Sequence, residues 1–282
     1  MKIGTSSTRH WGGEFYKKLR SFGFECIDFN LIDTEIAPYT YGADDFEKYF
    51  INEKRMMDEA GITVSQVHGP WRHPAIDNTP EARAERMEKM KRSIHGAALL
   101  GSKYWVVHPI MPFGVKDVLS GQEKETHDLN LEFMRELLET AKHHGVTICL
   151  ENMPFLDFSL SSPEAIVDFV KEINDPFFAM CLDTGHANVC RSWDSPAESI
   201  RKYGEFIKVL HVHDNRGRQD EHLAPLFGSI DWKDFSDALR EVGFDGVLSL
   251  EAIMCDTLPA DILEDMYDIY GRIARRIADG DL

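Results

Sequence analysis

Nine residues of metal-ligand type fall at the ends of apolar, strand-like segments or just beyond them: His68, His108, Glu151, Asp183, His186, His211, Asp220, His222 and Glu251. The segments are ITVSQVHGP (62–70), KYWVVHP (103–109), TICLEN (147–152), FAMCLDTGH (178–186), IKVLHVHD (207–214) and GVLSLEA (246–252). Each has an apolar body followed by an imidazole or carboxylate near its C-terminal end. A divalent cation needs several such ligands converging from separate parts of the chain. Glu151, Asp183, His211 and Glu251 come from successive segments and offer three carboxylates and one imidazole. That mix suits Mn²⁺, Mg²⁺ or Co²⁺, and Zn²⁺ also tolerates it. His68 and His108, on the two preceding segments, can share Glu151 in a second site. His186, Asp220 and His222 form a third group, so one to three ions are expected. A lone histidine at a strand end is more often a hydrogen-bonded core or surface residue. Six segments each carrying a ligand make that coincidence unattractive. His10, His73, His95, His127, His143 and His144 lack this context and are read as ordinary histidines.

The elements that must bring these residues together alternate along the whole chain. Strands are expected at 2–7, 26–30, 62–70, 103–109, 147–151, 178–183, 207–213 and 246–251. Helices are expected at 13–24, 44–60, 80–100, 123–144, from 162, at 195–204, 231–242 and 260–278. The stretch near 109–122 reads as a long loop. Ser162-Pro163 and the second Ser-Pro pair suit an N-cap followed by a first turn, and Asp231 suits an N-cap. Gly61, Gly101 and Gly145 suit helix exits. Strands alternating with helices imply parallel pairing and right-handed crossovers. Eight such units fit a closed (β/α)₈ barrel, one α/β domain over residues 1–282, whose strand ends meet on one face. An open nucleotide-binding sheet is the alternative, but the chain contains neither GxGxxG nor GxxxxGK[ST].

The chain has 31 basic and 48 acidic residues, a formal charge of −17. This disfavours non-specific attraction to nucleic acid or to an anionic membrane, although bound cations would invert the charge locally. No run approaches the ~18 apolar residues a membrane span needs, and MKIGTSSTRH lacks the apolar core of a signal peptide. The five cysteines, Cys26, Cys149, Cys181, Cys190 and Cys255, form no CxxC pair. They fit a reducing cytosol, so a cytoplasmic protein is expected. Cys190 lies near His186 and is read as structural rather than as a ligand.

VHGP, VVHP, LEN, LDTGH, LHVHD, DEHLAPLFGSIDW and LSLEA occur in this order and spacing. In that set the chain resembles the xylose-isomerase-like barrel superfamily, which includes sugar isomerases and epimerases and the AP-endonuclease family 2. The resemblance covers nearly the whole chain. It implies a TIM barrel. Ketose 3-epimerase-like members hold one metal through residues matching Glu151, Asp183, His211 and Glu251. The AP endonucleases hold three zinc ions through nine positions, all filled here. The epimerase-like members carry a substrate-binding arginine six residues after the metal histidine; here Gly217 stands there, flanked by Arg216 and Arg218. The loop that relatives build around Gly-Glu-Gly reads Phe227-Gly228-Ser229.

Two chemistries follow from different classes. In a sugar isomerase or epimerase, a metal polarises a carbonyl and its neighbouring hydroxyl. Glu151 and Glu251, one on each face, then remove and return the proton. Trp71 would cover the substrate, and Arg216, Arg218 or His186 would hold it. The partner is then a small sugar-like molecule. The alternative is a multi-zinc phosphodiesterase acting at abasic DNA, in which Glu151 bridges metals and cannot serve as a base. A barrel that binds metal and ligand without catalysis is a third reading. A homodimer is expected from barrel habit.

Overall fold

The computed structural model describes residues 1–7, 12–71, 77–190, 192–252 and 258–282. Eight strands alternate with helices: β1 (Lys2–Ser7), α1 (Gly13–Ser21), β2 (Cys26–Asn30), α2 (Ala43–Ala60), β3 (Thr63–His68), α3 (Pro80–Leu99), β4 (Tyr104–Val107), α4 (Asp117–Ser120), α5 (Glu123–His144), β5 (Thr147–Glu151), α6 (Pro163–Ile173), β6 (Phe178–Asp183), α7 (Thr184–Asn188), α8 (Pro196–Tyr203), β7 (Ile207–His211), α9 (Trp232–Glu241), β8 (Val247–Leu250) and α10 (Ala260–Asp279). The strands are parallel, in the order β7-β6-β5-β4-β3-β2-β1-β8. Val212 closes the ring against β8: its N–H donates to the Ser249 carbonyl at 2.8 Å, and its carbonyl accepts from Glu251 N at 3.0 Å. The chain is therefore a (β/α)₈ barrel.

Local sequence accounts for most helix boundaries. Ser162 and Ser195 cap α6 and α8 ahead of Pro163 and Pro196, and Ser195 forms a capping box with Glu198. Asp231 caps α9 through the Asp234 N–H. Gly61 and Gly145 end α2 and α5 with φ of 71° and 67°, where a side chain would be strained. One short helix departs from expectation: α4 stands inside the stretch read as a loop, and a second short helix, α7, follows β6 directly. α4 is anchored from outside: the fully buried Asp117 accepts the Ser159 N–H at 2.9 Å. Such a tie from 42 residues away leaves no periodic trace in its own segment.

The main core lies between sheet and helices, and a smaller cluster of Val106, Cys149, Ala179, Cys181 and Val209 fills the barrel interior. Cys26, Cys149 and Cys181 are buried thiols; Cys190 Sγ lies 3.1 Å from Ser192 Oγ. Cys255, His10 and His73 lie outside the described residues. No helix among the described residues is long and apolar enough to cross a membrane.

Gly96 on α3 shows how tightly the outer layer packs. Alanine ordinarily favours a helix interior over glycine by about 1 kcal/mol. A Cβ here would lie 2.7 Å from Cζ of the fully buried Phe50, and overpacking of this kind costs about 1–3 kcal/mol. Gly96→Ala is therefore expected to destabilise. A thermal melt should show Tm lowered by a few degrees, and a raised Tm would mean that Phe50 can move aside.

Candidate metal centre

The strand register sets the ligand carriers side by side. Asp183 on β6 pairs with His211 on β7, and Glu151 on β5 pairs with Cys181 on β6. Each strand ends at the same rim, so side chains as far apart in sequence as His68 and Glu251 share one pocket. Ligand atoms of Glu151, Asp183, His211 and Glu251 lie within 4.8 Å of one another, as do those of His68, Glu151 and His211. A further group joins His186, His213, Asp220 and His222. His108 joins the first cluster through Glu151, with Nε2 3.1 Å from Oε2.

Glu151 is the hub. Its Oε1 is 3.0 Å from His211 Nδ1 and 3.5 Å from His186 Nδ1, and its Oε2 faces His108 at 3.1 Å and His68 at 3.6 Å. Glu251 sits nearer the opening, with Oε2 3.4 Å from His211 Nδ1. Asp220 Oδ2 lies 3.3 Å from His186 Nε2 and 3.1 Å from His222 Nε2.

The imidazoles are held by their far edges. His68 Nδ1 is 2.8 Å from the Gly69 carbonyl, His186 Nδ1 2.8 Å from the Asn152 carbonyl, and His222 Nδ1 3.0 Å from the Glu251 carbonyl. A carbonyl can only accept, so each Nδ1 carries a proton, and each Nε2 faces the carboxylates, where its lone pair becomes available to an ion once that nitrogen is deprotonated. His211 is held the other way round, with Nε2 2.8 Å from Asp28 Oδ2, and so presents Nδ1. One ring nitrogen tied behind and the other aimed inward is how a protein orients imidazoles around a metal. His222 has φ 46°, in the left-handed region; that strain is maintained only because the loop is tied to the rim.

The electrostatics fit the same occupant. Burial pushes the Glu151 carboxyl up, but the His211 and His108 charges outweigh it and hold it well below the ordinary range. Burial raises Glu251 above the usual carboxylate range against the pull of His211 and His222. Burial opposes charge on His186, yet Asp183 and Asp220 overcome it and raise it to about 10. His222, also buried, rises to about 9 through its bond to Asp220 and the charge of Glu251. His108 is pulled down to about 4 by burial. Crowded buried carboxylates with no cation repel one another. No lysine or arginine lines the pocket among the described residues. The Nε2 of His68, buried, has no hydrogen-bond partner. The donor set therefore fits a divalent ion held by Glu151, Asp183, His211 and Glu251, and it offers further ligands beside it.

Around the ligands is a pocket of about 270 Å³, the size of a small-molecule site rather than a polymer groove. Ile32, Trp71, Met153, Pro154 and Phe155 form its apolar wall. Arg216 does not enter it: this residue is 65% exposed and paired with Glu221. Arg218 is also exposed. His95, His127, His143 and His144 sit on the outer helices.

Three contributors escaped the sequence reading. Asp28 lies on β2, in a short CIDFN strand with no motif around it, and no local signal marks it. His213 was legible in principle, because His-Val-His at a strand end puts both imidazoles on one face. Asp214, fully buried, accepts from Gly228 N at 3.0 Å, Ser229 N at 3.0 Å and Trp232 Nε1 at 2.8 Å. A Cβ on Gly228 would lie 2.1 Å from Asp214 Oδ1, which explains the glycine in Phe227-Gly228-Ser229. Gly185 likewise answers a close approach: a Cβ there would lie 1.9 Å from the His213 ring.

Asp28→Asn keeps the shape but removes the charge that His211 leans on. It is expected to weaken Mn²⁺ binding by about 10–100-fold with the barrel intact. Isothermal titration measures this, and an unchanged affinity would remove Asp28 from the site.

A family model described as xylose isomerase-like TIM barrel matches residues 16–266. The uncharacterised protein MJ1311 of Methanocaldococcus jannaschii is 34% identical over 191 residues, 66% of this chain and 63% of that protein, less than two thirds of its own length. A D-psicose 3-epimerase of Ruminiclostridium cellulolyticum is 26% identical over 238 residues, 80% of this chain and 74% of the enzyme. "Probable endonuclease 4" of Mycoplasmopsis agalactiae is 27% identical over 245 residues, 79% and 82% of the two chains. Among solved structures, a D-tagatose 3-epimerase-like protein superposes with a TM-score of 0.72 at 26% identity, covering 98% of this chain and 99% of that one.

Proposed function

This chain belongs to the xylose isomerase-like TIM-barrel family, and from that premise we propose that it is a divalent-metal-dependent epimerase or isomerase of a ketose or a similar polyol. The observation that carries the reading is the pair of carboxylates, Glu151 fully buried and Glu251 nearer the opening, in one His- and Asp-lined pocket with an apolar wall. The sugar 3-epimerases among its relatives support the substrate class.

Glu151, Asp183, His211 and Glu251 would hold the ion, which when bound supplies Lewis-acid polarisation of a carbonyl and its adjacent hydroxyl. The two glutamates then divide the proton work. Glu251, raised by burial, lies near the opening and is placed to take the proton from the carbon beside the carbonyl. Glu151, on the deeper side, would carry a second proton while substrate is bound, deliver it to the carbon and regain one from solvent as the product leaves, while Glu251 gives up the proton it took. Removal on one face and return on the other inverts the carbon, and return to the neighbouring carbon isomerises the sugar. Trp71 and Phe155 cover the apolar face of the ring or chain and exclude water. Arg216 and Arg218, being exposed, are not given a substrate contact.

A second reading rests on the endonuclease relative and on His68 and His108, which a single four-ligand site does not need. A phosphodiesterase would use all three ligand groups. The charge of −17 opposes a polyanionic substrate. One experiment separates the two: incubate the metal-loaded protein with a panel of ketoses in deuterated water and, separately, with an abasic oligonucleotide. Deuterium entering the carbon next to the carbonyl, with the oligonucleotide intact, is the expected result. Cleavage without exchange would replace the first reading with the second.

A further inference from the structure

His213 is grouped above with His186, Asp220 and His222, yet it is fully buried and its shortest polar contact is to Asp183, a member of the other cluster. Its Nε2 is 3.0 Å from Asp183 Oδ2 and 3.7 Å from Asp220 Oδ1. Its Nδ1 is buried with no hydrogen-bond partner. A ring with carboxylates at one nitrogen and nothing at the other carries its proton on the carboxylate side. The rest of the ring is held by packing. It stacks on His222 with centroids 4.0 Å apart and planes 12° from parallel. Its other edge presses on the α7 backbone, where Gly185 leaves room. The Thr184 hydroxyl donates to the His213 carbonyl at 2.7 Å and accepts its N–H at 3.0 Å. Two stacked rings cannot both aim an in-plane lone pair at one ion between them, so His213 is poorly placed to share an ion with His222. Asp183 is where its bond goes. The other Asp183 oxygen, Oδ1, accepts the His186 N–H at 2.6 Å as the cap of α7.

Asp183 is therefore gripped at both oxygens, by a backbone N–H and by an imidazole. This matters because a short carboxylate has two rotatable bonds, and a metal ligand must be held within a few tenths of an ångström. Hydrogen bonds from behind serve that purpose for ligating carboxylates. We propose that His213 is a positioning residue whose Nε2–H fixes the Asp183 carboxylate in the orientation that binds the ion of the Glu151–Asp183–His211–Glu251 cluster, with Gly185 present to admit its ring. The inference rests on the metal-site reading above.

The test uses the whole chain and Mn²⁺ alone, with affinity read by titration calorimetry and by the spectrum of free Mn²⁺. His213→Gln carries a side-chain N–H near the place of Nε2. His213→Asn carries one near the place of Nδ1, too far back to reach Asp183. Both are polar and slightly smaller than histidine. The expected result is an Asn variant weakened about 10–100-fold and a Gln variant within about threefold of the parent, with similar circular dichroism. Equal affinity in both variants, whether both normal or both lost, overturns the role. Gly185→Ala provides a second route should the Asn variant not fold. Its Cβ must displace the ring, so the same loss of affinity is expected, and a folded Gly185→Ala protein with parental affinity overturns the proposal. If the parent itself binds no Mn²⁺, the metal-site reading fails and this inference fails with it. Parental binding that His213→Asn leaves intact removes the inference alone.

Discussion

Replacing Glu251 by glutamine should lower proton exchange from the preferred ketose by about 10²–10⁴-fold, the usual contribution of a positioned acid–base group. The same change at Glu151 should do more. Glu151 faces four imidazoles, those of His68, His108, His186 and His211, whereas the side chain of Glu251 meets His211 alone among them. A glutamine at 151 offers one ligand oxygen in place of two, and its amide N–H can occupy a ring nitrogen that the ion would otherwise use. The Glu151→Gln protein is thus expected to lose its ion as well as its activity. The Glu251→Gln protein is expected to regain the ion at raised Mn²⁺ while remaining inactive. Metal content by mass spectrometry and exchange by NMR separate the two. Exchange within tenfold of the parent in Glu251→Gln at saturating Mn²⁺ would rule out its part in the proton transfer.

Removing the ion should abolish exchange altogether and soften the barrel mouth. An ion present at a hundred times its dissociation constant stabilises the folded chain by about 2.7 kcal/mol. For a domain of this size that is a Tm difference of roughly 5–10 °C between chelated and loaded protein. The pH dependence has a defined sign. In the ion-free protein His186 and His222 titrate at about 10 and 9, against 6.5 ordinarily. Their raised values contribute stability that is fully present below pH 6.5 and is lost as pH rises through 9 to 10. Melting of the chelated protein should therefore fall across that interval. Ion uptake by these imidazoles requires them neutral. Any ion that engages both should release about two protons near pH 7.5, and affinity should climb with pH up to about 10. Calorimetry in buffers of different ionisation enthalpy counts the protons. No release at pH 7.5 would mean that the ion avoids His186 and His222.

The legible part of this site was the part that repeats. His68, His108, Glu151, Asp183, His211 and Glu251 each end an apolar run, and a parallel barrel converts that shared phase into a shared rim. Asp220 and His222 were legible for a different reason, since alternate residues of an extended loop point the same way. Asp28 was not legible, because its role depends on where β2 lies relative to His211, 183 residues later in the chain. Arg216 illustrates the opposite failure. Its position after the metal-type histidine suggested a substrate contact, yet Glu221, five residues on, pairs with its guanidinium outside the pocket. Gly185 invites reading as a turn residue, but its backbone is helical and its reason is the imidazole pressed against it.

What the order of residues determined alone was the alternation of strands and helices, the helix caps and exits, and the placing of one ligand-type residue at the end of each of six strands. Those features are local: period, capping chemistry and turn geometry act over a few residues. What only the tertiary structure decided was which nitrogen each histidine presents, which carboxylates share a partner, which arginine faces solvent and why a glycine stands beneath His213. Those outcomes depend on distances between segments far apart in the chain, and barrel closure sets them.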